Sequence, residues 1–170
     1  MAFRNERSLD EFDWKIIEAL QEDARLSMAA LGREIGLSAP ATAERVRRLE
    51  ERKVIRAYRA EIELERVGLE VQAIVRIKAP AQHLDKTTRA LCALPEVFEC
   101  YRATGGDCFV LRIALSDIKG LQKFLDRIAP FGDLTTSVIL STPLKQRTVC
   151  KRPSNTPLTR SRQLSARDKP

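Results

Sequence analysis

Leu9, Phe12, Ile16, Ile17 and Leu20 recur at intervals of one, three and four residues. That spacing puts them on one stripe of an amphipathic helix. Ser8, with Glu11 three positions on, predicts a capping box at its start, where hydroxyl and carboxylate satisfy each other's backbone donors. Residues 23–26 interrupt the pattern. Ser27 predicts the cap of a second helix, with Leu31 and Ile35 on one face and Gly36 as its left-handed stop. Leu37 is the apolar plug of the turn, and Ser38 caps a third helix that tolerates Pro40 in its first turn. In this third helix Thr42, Val46 and Leu49 face one way, while Arg45, Arg48 and Arg52 form a separate stripe flanked by Arg47. Val54, Ile55, Tyr58, Ile62 and Leu64 then alternate, nearly, with charged residues, which predicts a small hairpin of short strands.

Gly68 marks a change of pattern. Val71, Ala73, Val75 and Ile77 alternate as one face of a strand that Pro80 stops. Leu84, Thr87, Thr88, Leu91 and Leu94 suit a helix that Pro95 ends. Residues 97–104 read as a strand, Gly105-Gly106 as a tight turn, and residues 109–115 as the returning strand. A two-residue turn there sets Cys100 opposite Leu111 and Cys108 opposite Ala103. Ile118, Leu121, Phe124, Leu125 and Ile128 form a helical stripe closed by Pro130 and Gly132, and residues 135–140 form a last strand. The order β-α-β-β-α-β is the split ferredoxin-like arrangement, with helices on one face of the sheet and the other face open. An open face in a small domain points to oligomerisation or a ligand.

Charge sharpens this picture. The 170 residues carry a net +7, yet residues 1–142 are neutral, with 22 basic and 22 acidic side chains. The whole excess lies in residues 143–170, where Lys145, Arg147, Lys151, Arg152, Arg160, Arg162, Arg167 and Lys169 face only Asp168. That stretch has four of the eight prolines and no aromatic residue, so it is expected to be a disordered basic tail. It is either a solubilising tail or a polybasic arm with sequence-independent affinity for nucleic acid. Locally, Arg45, Arg47, Arg48, Arg52, Lys53, Arg56 and Arg59 are opposed only by Glu50 and Glu51. Two short helices, a tight turn and a basic third helix outline a winged helix-turn-helix, which puts the third helix in the DNA major groove and the wing on the backbone; on spacing alone, a solvated basic face of an ordinary helical domain fits equally well. Arginine's planar fork matches guanine edges or phosphates.

Other chemistries find little support. No apolar run is long enough for a membrane span, and the charged N-terminus lacks the apolar core of a secretory signal. Cys92, Cys100, Cys108 and Cys150 show no C-x-x-C spacing, and His83 is the single histidine, so no metal site is expected. Cys100 and Cys108 lie about 10 Å apart along the predicted ladder, beyond disulfide reach. No catalytic set or phosphate loop is present, and no cofactor is called for.

The chain resembles the Lrp/AsnC (feast/famine) family of bacterial transcription regulators. The resemblance is carried by LDEFDWKIIEAL (9–20), EDAR (22–25), LS (37–38), ERVRRL (44–49), VI (54–55), YRA (58–60), PEVFECY (95–101) and TG (104–105). It implies an α+β protein: a winged helix-turn-helix DNA-binding domain over 1–55, wing and linker strand over 56–68, and a ferredoxin-like effector (RAM) domain over 69–142. It also implies a cytoplasmic homodimer, in some cases a tetramer or octamer, that binds double-stranded DNA and takes an amino-acid effector between effector domains. Carried over by position, Ser38, Thr42, Arg45, Arg47 and Arg48 lie on the recognition helix, with Arg45 and Arg48 as the best readers. Arg56 and Arg59 would touch the DNA backbone from the wing. Gly105, Gly106, Asp107 and Thr136 fall at effector positions.

Two departures from the family matter. Where the family has a glycine after the third helix, this chain has Lys53. A left-handed lysine there costs about 1 kcal/mol. The family's effector hairpin often reads Gly, Asp, any residue, Asp, aromatic; here Gly106 and Cys108 stand at the acidic positions, with Asp107 between them. A carboxylate displaced by one position faces the other side of a strand, so an effector's ammonium group would lack its usual partner. Then the ligand differs, the loop shifts register, or there is no small effector. Two other readings remain: an architectural, chromatin-like DNA binder without an effector, and a tetrapyrrole decarboxylase of related fold, for which a lone His83 is poor equipment.

Overall fold

A computed structural model describes residues 9–106 and 108–151. The described chain divides into two compact units, residues 9–59 with 146–151 and residues 60–145.

In the first unit, helix α1 spans Glu11–Glu22, α2 Met28–Ile35 and α3 Ala39–Glu51. The capping box at α1 is made by Asp10 and Asp13 rather than by Ser8 and Glu11. Asp10 Oδ1 accepts from the Asp13 amide at 2.8 Å and the Asp10 amide donates back to Asp13 Oδ2 at 3.2 Å. Aspartate does the same work as serine with a full charge at the positive end of the helix; Ser8 itself lies outside the described residues. Ser27 and Ser38 cap α2 and α3 as expected. Ile16, Ala19, Leu20, Leu31, Ile35, Val46 and Leu49 form one buried cluster. Where α2 meets α3, a side chain at Gly32 would lie 2.6 Å from the Leu37 carbonyl and 2.9 Å from Thr42 Oγ1, so only glycine lets the two helices close up.

Lys53 adopts φ 58°, the one left-handed non-glycine residue among those described. It sits one residue beyond the Arg52 cap of α3, and the Val54 amide reaches back to the Leu49 carbonyl at 2.9 Å. This is a Schellman closure with lysine at the glycine position. The hairpin expected over residues 54–64 is absent: no strand occurs there, and Val54, Tyr58 and Ile62 are exposed. Among the described residues no third strand adjoins this segment, and an isolated two-stranded hairpin is marginally stable in water.

The second unit is the expected β-α-β-β-α-β. Strand β1 spans Val71–Lys78, α4 Leu84–Cys92, β2 Val97–Arg102, β3 Phe109–Leu115, α5 Ile118–Ile128 and β4 Asp133–Val138. The antiparallel sheet runs β2-β3-β1-β4. Cys100 pairs with Leu111, and the Ala103 amide donates to the Cys108 carbonyl at 3.1 Å, so the expected hairpin register holds. Ala73, Val75, Ile77, Phe109, Leu111 and Ile113 are buried against Leu91 of α4 and Leu121, Phe124 and Ile128 of α5. Both helices therefore cover one face. The other face presents Ile74 and Val110 beside a polar network in which Arg112 binds Glu99 at 3.1 Å.

The basic tail does not begin at residue 143. Gln21 of α1 clips the chain at Val149: its Nε2 donates to the Val149 carbonyl and its Oε1 accepts from the Val149 amide, both at 2.9 Å. One side-chain amide thus copies a pair of strand hydrogen bonds. Lys151 adds a bond from its amide to Glu18 at 3.2 Å. Lys145 Nζ lies 3.4 Å from Glu61 and 3.1 Å from Glu63. The other tail cations, from Arg152 on, lie outside the described residues.

Candidate nucleic-acid interface

The third helix sorts its side chains by depth. Thr42, Val46 and Leu49 are buried. Thr42 is fully buried and its hydroxyl donates to the Ser38 carbonyl at 2.9 Å. This corrects its placement among the DNA contacts: its spacing matched both stripes of the helix, and packing against Gly32 claims it.

Arg45 is engaged with α1. Its Nη1 lies 2.7 Å from Asp10 Oδ2 and 2.9 Å from Asp13 Oδ1. Its guanidinium also stacks over the Phe12 ring at 5.3 Å. Burial alone would raise the Asp10 carboxyl; hydrogen bonds from the Asp13 amide and from Arg45, with the Arg45 charge, outweigh that and hold it below its ordinary value. One carboxylate thus caps α1 and anchors α3. Sequence reasoning missed these partners, although Asp10 and Asp13 stand one helical turn apart.

Arg48 is exposed and makes no hydrogen bond or ion pair among the described residues. Arg47 is exposed and pairs along its own helix with Glu44 at 2.7 Å and with Glu51. Such surface pairs are solvent-screened and exchange readily. Ser38 is exposed at the helix start, its Oγ 3.4 Å from the Ala41 amide. Arg56 and Arg59 are exposed in the extended segment after α3, with no partner among the described residues. Arg47 and Arg48 on α3, with Arg56 and Arg59 beyond it, therefore carry guanidinium groups that are exchangeable or unpartnered among the described residues, the equipment for phosphate and base edges.

The effector positions are dispersed. Gly105, at φ 112°, and Gly106 lie in the turn between β2 and β3. Thr136 pairs with Val75 on β4, the opposite edge of the sheet. Asp107 lies outside the described residues. Cys108 turns its thiol to the Ala79 carbonyl at 3.4 Å and packs on the core. All four thiols are free. Burial first, then a hydrogen bond to Cys92, pushes the Cys100 thiol up to about 11; that neighbour, and not Cys108, is the one Cys100 meets. Among the described residues no group of side chains could hold a metal ion, and no helix is long and apolar enough to cross a membrane.

Comparison with known proteins agrees with this architecture. The AsnC-type helix-turn-helix domain matches residues 9–50 and the Lrp/AsnC ligand binding domain residues 72–149. The HTH-type transcriptional regulator LrpC of Bacillus subtilis is 36% identical over 133 residues, covering 78% of this chain and 92% of LrpC. The solved structure of that LrpC superposes with a TM-score of 0.78 at 34% identity, over 82% of this chain and all of its own. A feast or famine regulatory protein from M. tuberculosis, solved in complex with L-methionine, superposes with a TM-score of 0.79 at 31% identity, over 85% of this chain and all of its own. A helix-turn-helix with a basic outward face, joined to a four-stranded ferredoxin-like unit and matched on both halves by regulators of this one kind, places the chain in the Lrp/AsnC family of transcriptional regulators.

Proposed function

We propose that this regulator binds operator DNA as a cytoplasmic homodimer or a larger assembly of dimers. Arg48, with Ser38 and Arg47, reads the major groove from α3, and Arg56 and Arg59 hold the phosphate backbone. The observation that carries this reading is the division of labour on α3: Arg45 is tied to Asp10 and Asp13 while Arg48 is exposed and has no partner among the described residues. Dimerisation is supported by the open sheet face with Ile74 and Val110 and by the extended segment in which Tyr58 and Ile62 are exposed. Its effector is an amino acid or a similar small molecule, as the methionine complex of the M. tuberculosis relative suggests.

Selection of binding sites from random duplexes, followed by anisotropy titrations, tests this. A dimer should enrich inverted half-sites about 10 bp apart or a multiple of that. Arg48→Ala should cost about 1–3 kcal/mol at the selected site and relax preference at one base position. Arg56→Ala should weaken selected and random DNA alike and lower the salt slope by about one. Full affinity and unchanged preference in Arg48→Ala would overturn the assignment.

A further inference from the structure

Residues 1–91 contain no cysteine. Cys92, Cys100 and Cys108 lie in the effector unit, and Cys150 belongs to the other unit. Cys92 ends α4 and is exposed, whereas Cys100 lies within β2 and is half-buried. The connection between the two elements is short. The Leu94 amide donates to the Leu91 carbonyl at 3.2 Å, and the Val97 amide donates to the Leu94 carbonyl at 3.1 Å. The chain therefore turns straight from the end of α4 back into β2.

Successive side chains of a strand point to opposite faces of its sheet. Glu99 accepts from Arg112 Nε at 3.1 Å and from Tyr101 Oη at 2.7 Å, on the face that the helices leave open. Cys100, between Glu99 and Tyr101, points the other way. It packs on the buried cluster that includes Leu91 of α4. There the Cys92 thiol lies within hydrogen-bond reach of it. Burial first, and then that bond, push the Cys100 thiol up to about 11, so at neutral pH Cys100 keeps its proton and donates it to the Cys92 sulfur. Cys108 stands apart, its thiol donating to the Ala79 carbonyl at 3.4 Å. One exposed thiol thus rests against one half-buried thiol, on neighbouring elements of a single unit.

From this arrangement we infer that Cys92 and Cys100 are a reversible modification site: a hydroperoxide oxidises the pair to an intrachain disulfide that pins the end of α4 to β2. Cys92 reacts first, because it is the thiol that solvent reaches. Its sulfur loses a proton and attacks one oxygen of hydrogen peroxide. The O–O bond breaks, one water leaves, and Cys92 becomes a sulfenic acid. The Cys100 sulfur then attacks the Cys92 sulfur and displaces the hydroxyl group, which leaves as a second water with the Cys100 proton. Two thiols have lost two electrons and two protons, and the peroxide has been reduced to two waters. Because Cys100 already lies against its target, the second step needs no search for a partner. An external thiol reverses the reaction by exchange. The disulfide closes a short ring over residues 92–100, between a helix end and an edge strand. No step draws on the DNA contacts of α3, so the inference stands apart from the proposed function.

Thiol mapping of the full, folded chain tests it. The reduced protein is freed of reductant, treated with hydrogen peroxide, alkylated without reduction and digested for mass spectrometry. The peptides bearing Cys92 and Cys100 should appear joined and lighter by two hydrogens, while Cys108 and Cys150 are alkylated. Dithiothreitol should return all four thiols. In Cys100→Ser, dimedone should trap a sulfenic acid at Cys92. In Cys92→Ser, Cys100 should oxidise about tenfold more slowly than in wild type, as a half-buried protonated thiol without its partner. Serine nearly matches cysteine in size, and an unchanged thermal midpoint of the reduced variants shows that the fold is kept. The oxidised wild type should unfold at a higher temperature than the reduced one, and neither variant should show that rise. Alkylation of both Cys92 and Cys100 after oxidant has consumed other thiols would overturn the inference. So would a disulfide that joins either of them to Cys108, to Cys150 or to a second chain. DNA titrations of the reduced variants keep the two readings apart, since the regulator assignment expects full affinity whether or not the disulfide forms.

Discussion

Arginine has one chemistry and, in this molecule, three uses. Arg45, Arg47 and Arg48 are near neighbours on one helix, yet the first is held by two carboxylates of α1, the second by glutamates of its own helix, and the third by nothing among the described residues. Removing Arg45 should therefore be a folding defect before it is a binding defect. Arg45→Ala should lower stability by about 1–2 kcal/mol, because charge-assisted bonds to partly buried carboxylates are lost, whereas Arg48→Ala should leave the unfolding midpoint in place. The clamp also has a pH signature. The Asp10 carboxyl is held below its ordinary value in the folded chain, so its contribution is present above the unfolded value and is lost as pH falls through the folded one. In thermal unfolding across pH 2–6, wild type should lose midpoint below about pH 4 more steeply than Arg45→Ala; parallel curves would show that the clamp contributes no pH-dependent stability.

At the level of elements, most boundaries follow from short-range chemistry. Serines start α2 and α3, glycine ends α2, and Pro80 and Pro95 fall outside the strand and helix they follow. The exit from α3 is the exception. Lys53 occupies a left-handed position at φ 58°, which a side chain adopts at a cost. Lys53→Gly should raise stability by about 1 kcal/mol, seen as a higher midpoint in urea with an unchanged slope; a lower midpoint would mean that the lysine gains more from its surroundings than its backbone loses. The substitution also removes a cation beside the proposed recognition helix, so higher stability should come with weaker affinity for random duplexes.

Across the whole molecule, net charge and its placement set how the protein meets an anionic polymer. Residues 1–142 are neutral and the final 28 carry the entire excess. Ending the chain after Lys151 keeps the Gln21 clip at Val149 and the Lys151 bond to Glu18 but removes Arg152, Arg160, Arg162, Arg167 and Lys169 with Asp168. That truncation should leave unfolding unchanged and weaken selected and random DNA by the same factor, with a shallower salt dependence. An equal salt slope in the two proteins would show that the tail does not touch phosphate.

The two-fold alternation of residues 71–77, the three- and four-residue spacing of 118–128 and the Gly105-Gly106 turn each rest on neighbours a few positions away. For that reason the order of elements, the hairpin register and the buried faces were legible in the chain itself, whereas the strained place of Lys53 followed from the resemblance to a family that has glycine there. Partners far apart in sequence were not. Whether Thr42 faces the core or the DNA depended on Gly32 across the turn. That Arg45 is a clamp depended on Asp10, 35 residues before it. The hairpin predicted after α3 failed because two short strands alone are marginal and the described residues offer no third one there. The start of the tail became a docked segment because Gln21 lies 128 residues before Val149. The Glu96–Arg127 ion pair depended on bringing the start of β2 to α5. Local pattern determines which elements form and which faces they bury; which of several identical charges stays free to act is decided by tertiary neighbours, because an ion pair depends on distance in space and not along the chain.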